Sequence, residues 1–150
     1  MELLTKRLRL IPCTKESLNI IKKSKEYQLG PHVYRYLEVL EKDPSLLGWG
    51  VWFVIDKEKN TVIGDMGFKG KPNSENTVEI GYGIVPSEQG KGYATEAAMT
   101  LIQWAFSFDN VDKVVAECLV DNIPSIRVLE KLQMKRVGLE GNMLKWQLDK

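Results

Sequence analysis

Two stretches of the chain hold residue types that could do chemistry. The first is Ser87-Glu88-Gln89-Gly90-Lys91-Gly92-Tyr93-Ala94-Thr95. Gly90 and Gly92 remove side chains where the backbone must turn, and the small Ala94 keeps the next turn open. Amides at the start of a helix have no intrahelical acceptor. With the helix dipole they form an anion site suited to a pyrophosphate, and Lys91 adds a positive charge beside it. On glycine content alone, the same stretch reads as an ordinary strand-to-helix connection. The second stretch is Thr77-Val78-Glu79-Ile80-Gly81-Tyr82-Gly83-Ile84-Val85. As a strand it puts Glu79, Gly81 and Gly83 on one face and Val78, Ile80, Tyr82 and Ile84 on the other. A carboxylate above two glycines leaves a trough for a substrate, and it could take a proton directly or through water. Glu79 reads equally well as a half-buried structural glutamate paired with Lys or Arg. Asp65, on the preceding strand, is a second, weaker candidate, and Glu117 reads as structural.

The surrounding pattern supplies the elements that would position these groups. Arg7-Leu8-Arg9-Leu10-Ile11 alternates polar and apolar residues and reads as a first strand. Thr14 with Glu16 and Ser17 opens a helix bearing Leu18 and Ile21. Pro31 opens a second helix with Val33, Leu37 and Leu40 on one face, and Asp43-Pro44 ends it. Residues 50–55, 61–68 and 77–85 are rich in β-formers and separated by short polar turns, which predicts an antiparallel meander. Ala94, Ala97, Ala98, Leu101, Ala105 and Phe108 then share a helical face. Residues 113–120 form a buried strand by composition. Asn122 caps a further helix with Pro124 in its first turn, and a hairpin around Glu140-Gly141-Asn142 closes the chain. The expected fold is α+β, one mixed sheet covered by helices.

The 150 residues fit a single domain spanning 1–150, with 43% hydrophobic and 27% charged residues, a composition that disfavours disorder. The net charge of +1 gives no global basic excess, which disfavours nucleic acid as the main partner. Lys22-Lys23-Ser24-Lys25, the densest basic run, reads as a solvated helix end, and Lys6, Arg7 and Arg9 as solvated strand residues. Cys13 and Cys118 form no paired framework and read as free thiols of a cytoplasmic protein. The first residues lack a long apolar core, so no signal peptide is expected, and no apolar run reaches the ~20 residues of a membrane span. His32, the one histidine, excludes a multi-histidine metal site. It reads as a surface or capping residue after Pro31. Tyr27, Tyr34, Tyr36, Trp49 and Trp52 are candidates for shaping an acceptor pocket, though each taken singly fits core packing better. Trp104 and Phe106 read as packing residues.

Two phosphate-binding patterns fail at the glycine turn. Lys91 is followed by Gly92 rather than Ser or Thr, and the required upstream glycine falls at Val85, so it is no Walker loop. The third glycine of a dinucleotide fingerprint falls at Thr95. Instead, Gln89-Gly90-Lys91-Gly92-Tyr93-Ala94 resembles the Gln/Arg-x-x-Gly-x-Gly/Ala signature of the GNAT superfamily of N-acetyltransferases. Asn122-Ile123-Pro124-Ser125-Ile126-Arg127-Val128-Leu129-Glu130-Lys131-Leu132 resembles that family's second cofactor segment. Thr5-Lys6-Arg7-Leu8-Arg9-Leu10-Ile11-Pro12 resembles its ribosomal-protein N-terminal acetyltransferase branch. The likeness covers most of the chain and agrees with the element order.

The resemblance implies a three-layer α/β/α domain whose central, mostly antiparallel sheet is splayed at the cofactor site. It implies acetyl-CoA as donor and no metal. The implied cofactor site comprises Ile84, Val85, Gln89, Gly90, Lys91, Gly92, Tyr93, Ala94, Thr95, Asn122 and Ser125. Amides from Gly90 to Thr95 would hold the pyrophosphate. Parting strand ends near Ile84-Val85 and Leu119-Val120 would receive the pantetheine arm, with Asn122 bonding it and Ser125 close by. A backbone N–H near Val85 would stabilise the thioester oxygen. Glu79 is the candidate base, and Ser125 or water could protonate the sulfur. No tyrosine follows Tyr93 to act as the acid many relatives use, and Gln133-Met134 stands where the family has Gly-Phe. The acceptor is a primary amine, on a small molecule or a peptide N-terminus, with no nucleic acid or membrane involved, for a monomer or homodimer. The competing reading is a catalytically weak acyl-CoA-binding or sensing module on the same scaffold.

Overall fold

The computed structural model describes residues 1–150. It begins with β1 (Leu3–Leu4) and β2 (Leu8–Pro12), followed by α1 (Lys15–Ile20) and α2 (Pro31–Lys42). Next come β3 (Val51–Asp56), β4 (Thr61–Phe68) and β5 (Thr77–Ile84), then α3 (Tyr93–Phe106), β6 (Lys113–Leu119) and α4 (Ile123–Lys131). The hairpin β7 (Lys135–Glu140) and β8 (Met143–Asp149) closes the chain.

Local chemistry explains most boundaries. Thr14 and Ser17 cap α1 reciprocally, each side chain accepting from the other's amide. Pro31 occupies the first turn of α2, and Asp43 followed by Pro44 stops it. Asn60 and Asn76 take positive φ in the two turns of the meander, and Gly141 does so in the closing hairpin. The two-residue β1, too short for periodicity to reveal, pairs with Arg9 and Leu10.

The eight strands form one sheet in the order β1-β2-β3-β4-β5-β6-β8-β7. Every pairing is antiparallel except β5 with β6. Side chains of adjacent strand residues point to opposite faces. Trp52 packs on Trp104 of α3, whereas Phe53 packs on Tyr27 and pairs with Asp65, which meets His32 of α2. The segment containing α1 and α2 therefore covers one face, and α3 the other, with α4 beside α3. Trp52 is fully buried, and its indole N–H donates to Gly48 O at 2.8 Å. It is a core residue facing away from the trough, which removes it from the residues that could shape an acceptor pocket.

The one parallel pairing is incomplete. β5 and β6 are in register at Thr77↔Lys113, Val78↔Val114 and Glu79↔Val115, and then part. The remaining halves of both strands flank a gap whose mouth lies near α3 and α4.

Candidate active site

The glycine turn is built to present amides. Gly90 (φ 76°) and Gly92 (φ 84°) both occupy the left-handed region, where a Cβ is strained. Gly92 is the N-cap of α3 and offers no side chain to its first turn. None of the N–H groups of Gly90, Lys91, Gly92, Tyr93, Ala94 and Thr95 has an acceptor within the chain, and the helical bonding begins with Glu96 N–H to Gly92 O. Gln89 faces elsewhere. Its side-chain amide donates to Ile84 O at 2.8 Å, tying the turn to the end of β5.

A second set of contacts clamps this turn from the N-terminal strands. Arg7 donates through Nε to Glu96 Oε1 at 2.8 Å and through Nη1 to Lys91 O at 2.9 Å. Its guanidinium lies 4.2 Å from the Tyr93 ring centroid. Glu96 also accepts from the Arg7 amide at 2.9 Å and from the Thr5 hydroxyl at 2.5 Å. Burial alone would raise the Glu96 carboxyl, but the hydrogen bonds from Thr5 and Arg7 outweigh it and hold it below the usual range. Arg7, which the sequence pattern makes a solvated strand residue, is thus a brace for the loop. Lys91 is likewise not free. Its ammonium sits 3.1 Å from Glu88, which also binds Lys59 at 3.1 Å and is 7% exposed. What Lys91 presents outward is its amide.

Strand register fixes what lines the gap. Lys69 N–H bonds Glu79 O, and Val85 N–H bonds Ile63 O at 2.8 Å. Backbone groups alternate direction along a strand, so the N–H groups of Tyr82 and Ile84 face the other way, into the gap. The Val85 amide is consumed by the sheet, which leaves the Ile84 N–H as the last β5 donor facing the gap. On β6, Val120 N–H bonds Asn142 O, so the amides of Glu117 and Leu119 face the gap from the opposite side. Asn122 Oδ1 caps α4 by accepting from Ser125 N–H at 3.2 Å. The Ser125 hydroxyl lies 2.8 Å from the Tyr82 hydroxyl, so a hydrogen-bonded pair spans the gap from β5 to α4. Burial pushes the Tyr82 phenol up, with the Ser125 bond pulling the other way. The sequence pattern assigned Tyr82 only to a strand face, because its partner lies 43 residues away.

On the α1/α2 face, a cleft of about 710 Å³ lies over Gly81 and Gly83. A Cβ at either glycine would meet nothing within 4 Å, so the trough is open space. Glu79 lies on the same face and is 32% exposed, with its carboxylate 2.8 Å from the Lys69 ammonium. Glu117 is bonded to Lys145 and is a structural charge pair. At the other end of the trough, Asp65 pairs with Gly83. Its Oδ2 accepts from Tyr27 OH at 2.7 Å, and its Oδ1 lies 2.9 Å from His32 Nε2. A carboxylate can only accept, so the imidazole donates from Nε2. His32 is therefore neither a cap nor a free surface residue. Burial and then the Asp65 bond push the Tyr27 phenol far up, keeping it a donor. Tyr36 and Trp49 line the cleft, whereas Tyr34 is exposed on the surface of α2.

A family model described as an acetyltransferase (GNAT) domain matches residues 17–135. The chain belongs to the GNAT acetyltransferase family. Among curated relatives of this GNAT chain is the uncharacterized N-acetyltransferase YjdG of Bacillus subtilis (strain 168), 37% identical over 97 residues. That match covers 65% of this chain but only 58% of YjdG, little more than half its length. The uncharacterized N-acetyltransferase p20 of Bacillus licheniformis is 30% identical over 152 residues, covering 91% of this chain and 84% of p20. A solved structure, the ribosomal-protein-S5-alanine acetyltransferase from Vibrio fischeri, superposes with a TM-score of 0.75 at 16% identity. It covers 99% of this chain and 96% of its own, a likeness of fold.

Seen as a GNAT domain, the chain brings its expected site residues together in two groups. Ile84, Gln89, the run from Gly90 to Thr95, Asn122 and Ser125 gather around the gap and its mouth. Glu79 and Asp65 lie on the opposite face, along the trough. The first group shares physical features: unpartnered amides, glycines at positive φ, and strand edges with unused hydrogen-bonding groups. No group of His, Cys, Asp and Glu has a metal-holding arrangement, and no helix is long and apolar enough to cross a membrane.

Proposed function

We propose that the chain is an acetyl-CoA-dependent N-acyltransferase that acts on a primary amine by direct attack. The observation that carries this reading is the run of unpartnered amides at residues 90 to 95, opening onto the gap between β5 and β6. Those amides suit a pyrophosphate. The gap-facing groups of Tyr82, Ile84, Glu117 and Leu119 suit an amide-bearing arm, which they would take up like a short strand. Asn122 keeps its side-chain N–H groups for the same arm while its oxygen caps α4. When bound, the acyl-CoA supplies an activated acyl group.

The chain's own groups then have distinct tasks. Ile84 N–H donates to the thioester oxygen. Glu79 takes the amine proton through water in the trough. Ser125, held by Tyr82, passes a proton toward the leaving sulfur. Holding both reactants at the parted strands supplies much of the remaining advantage. The acceptor amine enters by the cleft over Gly81 and Gly83. Two free, buried cysteines suit a reducing cytoplasm.

The Lys69–Glu79 ion pair favours a second reading, an acyl-CoA-binding module with weak catalysis, because it occupies the proposed base. Glu79→Gln separates the two in a thiol-release assay with acetyl-CoA and a panel of amines. The proposal expects kcat to fall by about 10²–10⁴, with coenzyme A affinity unchanged by calorimetry. Unaltered transfer would remove Glu79 as the base. Wild-type protein that binds coenzyme A yet releases thiol with no amine would establish the sensing reading.

A further inference from the structure

The charges in the cleft are few, and each has an identified partner. Its walls are largely apolar, with the side chains of Tyr36, Val39, Leu46 and Val51 contributing, and its floor is glycine. Three side chains in the lining can carry charge: His32, Asp65 and Lys69. Lys69 is paired with Glu79. Asp65 is the single carboxylate in the lining, and its side chain is 16% exposed. Tyr27 OH and His32 hold its two oxygens in place, and each oxygen retains a lone pair for a further donor. Asp65 also stands opposite Gly83, the residue before Ile84. A nitrogen docked on Asp65 therefore lies on the trough side of the end of β5, the strand whose other edge borders the gap.

Resting on the acyl-transfer reading, we propose that the acceptor is an amine with one cationic nitrogen on an apolar or aromatic body, and that Asp65 receives this nitrogen as the ammonium. The ammonium gives up one proton along the water of the trough toward Glu79 before the nitrogen lone pair attacks. The body lies against the apolar wall above Gly81, beside Tyr36. A polyamine does not fit. Its second ammonium would find apolar wall or the Lys69 ammonium, and an unpaired charge taken out of water costs several kcal/mol. A free arylalkylamine and a peptide with a large apolar N-terminal residue share the required chemistry.

The test measures acceptor binding and turnover separately, on the full chain. Phenethylamine, a Phe-Ala dipeptide amide and spermidine are titrated by NMR in the presence of coenzyme A. The same amines serve as acceptors for thiol release from acetyl-CoA. One of the two apolar amines is expected to exceed spermidine in kcat/KM by at least about tenfold, and which one does so identifies the source. Asp65→Asn should raise the KM and the dissociation constant of that amine by about 10–100-fold, with coenzyme A affinity unchanged. Tyr27→Phe, which keeps the carboxylate but removes one brace, should raise KM by less, and it reads the same site if Asp65→Asn fails to fold. Preference for spermidine overturns the inference. So does an Asp65→Asn variant that loses kcat at constant KM, the signature of a base. Failure of every apolar amine to bind a chain that binds coenzyme A overturns it too, and leaves acyl transfer standing. Asp65-dependent amine binding without thiol release would instead retain the inference and remove the acyl-transfer reading.

Discussion

The turn at residues 90 to 95 and the cleft over Gly81 and Gly83 are both reached from β5, yet they are built from different materials. The turn presents main chain. Its glycines exist for their φ angles, and the side chains around it, Arg7, Glu88, Gln89 and Glu96, are spent on one another and on the backbone. The cleft presents side chains and empty space. Gly81 and Gly83 take no positive φ and matter for the Cβ atoms they lack. A site made of backbone suits a ligand that never changes, since amides cannot be altered by substitution. A site made of side chains around a void can be reshaped by single substitutions. That division matches a shared acyl donor and a variable acceptor.

The largest expected effect tests the backbone half. Gly92→Val forces a β-branched residue into φ 84°, at a cost of roughly 1–3 kcal/mol. It also turns amides away from the anion they would share, and hydrogen bonds to charged groups are worth about 1.5–3 kcal/mol each. Coenzyme A affinity by calorimetry should fall by about 100-fold or more, along with a lower melting temperature. An unchanged affinity would mean that the turn is not the pyrophosphate site.

The cleft half is sharpened by two paired glycines with opposite surroundings. Gly67 and Gly81 are partners across β4 and β5. A Cβ at Gly67 would lie 1.7 Å from Gly50 O, whereas one at Gly81 meets nothing within 4 Å. Gly67→Ala should therefore destabilise the fold, by about 1–3 kcal/mol as overpacking does. Gly81→Leu should leave the melting temperature unchanged or raise it, because glycine in a strand costs about 0.5–1 kcal/mol. Its effect should appear in the acceptor's KM, about tenfold higher, with coenzyme A binding intact. A Gly81→Leu variant that transfers normally would show that the acceptor enters elsewhere.

The same division governs what could be read from the sequence. The meander, the capped helices and the glycine turn follow from local rules, because Pro31, Asn60, Asn76 and Asn122 act within a few residues of themselves. The amides at the α3 start were legible for that reason. Strand parity placed Glu79 over Gly81 and Gly83, but no local signal could show that Lys69 occupies its carboxylate. The Tyr27–Asp65–His32 group and the Arg7–Glu96 brace join residues 33 to 89 positions apart. From type alone Arg7 reads as a solvated strand residue and His32 as a surface or capping residue, and although Asp65 and Tyr27 are site candidates, nothing local joins them to each other or to His32. The strand gap was inferred by resemblance, and its lining became assignable only when Val85 N–H and Val120 N–H were seen to be used by the sheet.

The smallest expected effect concerns the brace that holds the turn. Exposed ion pairs contribute about 0–1 kcal/mol, but Glu96 accepts several hydrogen bonds at once, and Arg7 also stacks on Tyr93. Arg7→Ala should weaken coenzyme A binding about three- to tenfold by loosening the loop, without touching the amides themselves. Acid should mimic this change. The Glu96 carboxyl is held below its usual range in the folded chain by Thr5 and Arg7. A carboxyl lowered on folding contributes stability that is present above its unfolded pKa and lost as pH falls through the folded one. The stability difference between wild type and Glu96→Gln, from urea unfolding, should therefore be constant from neutral pH down to about pH 5. It should then shrink as the wild-type carboxylate protonates. A difference that stays constant through that range would mean that Glu96 braces the turn by its shape rather than by its charge.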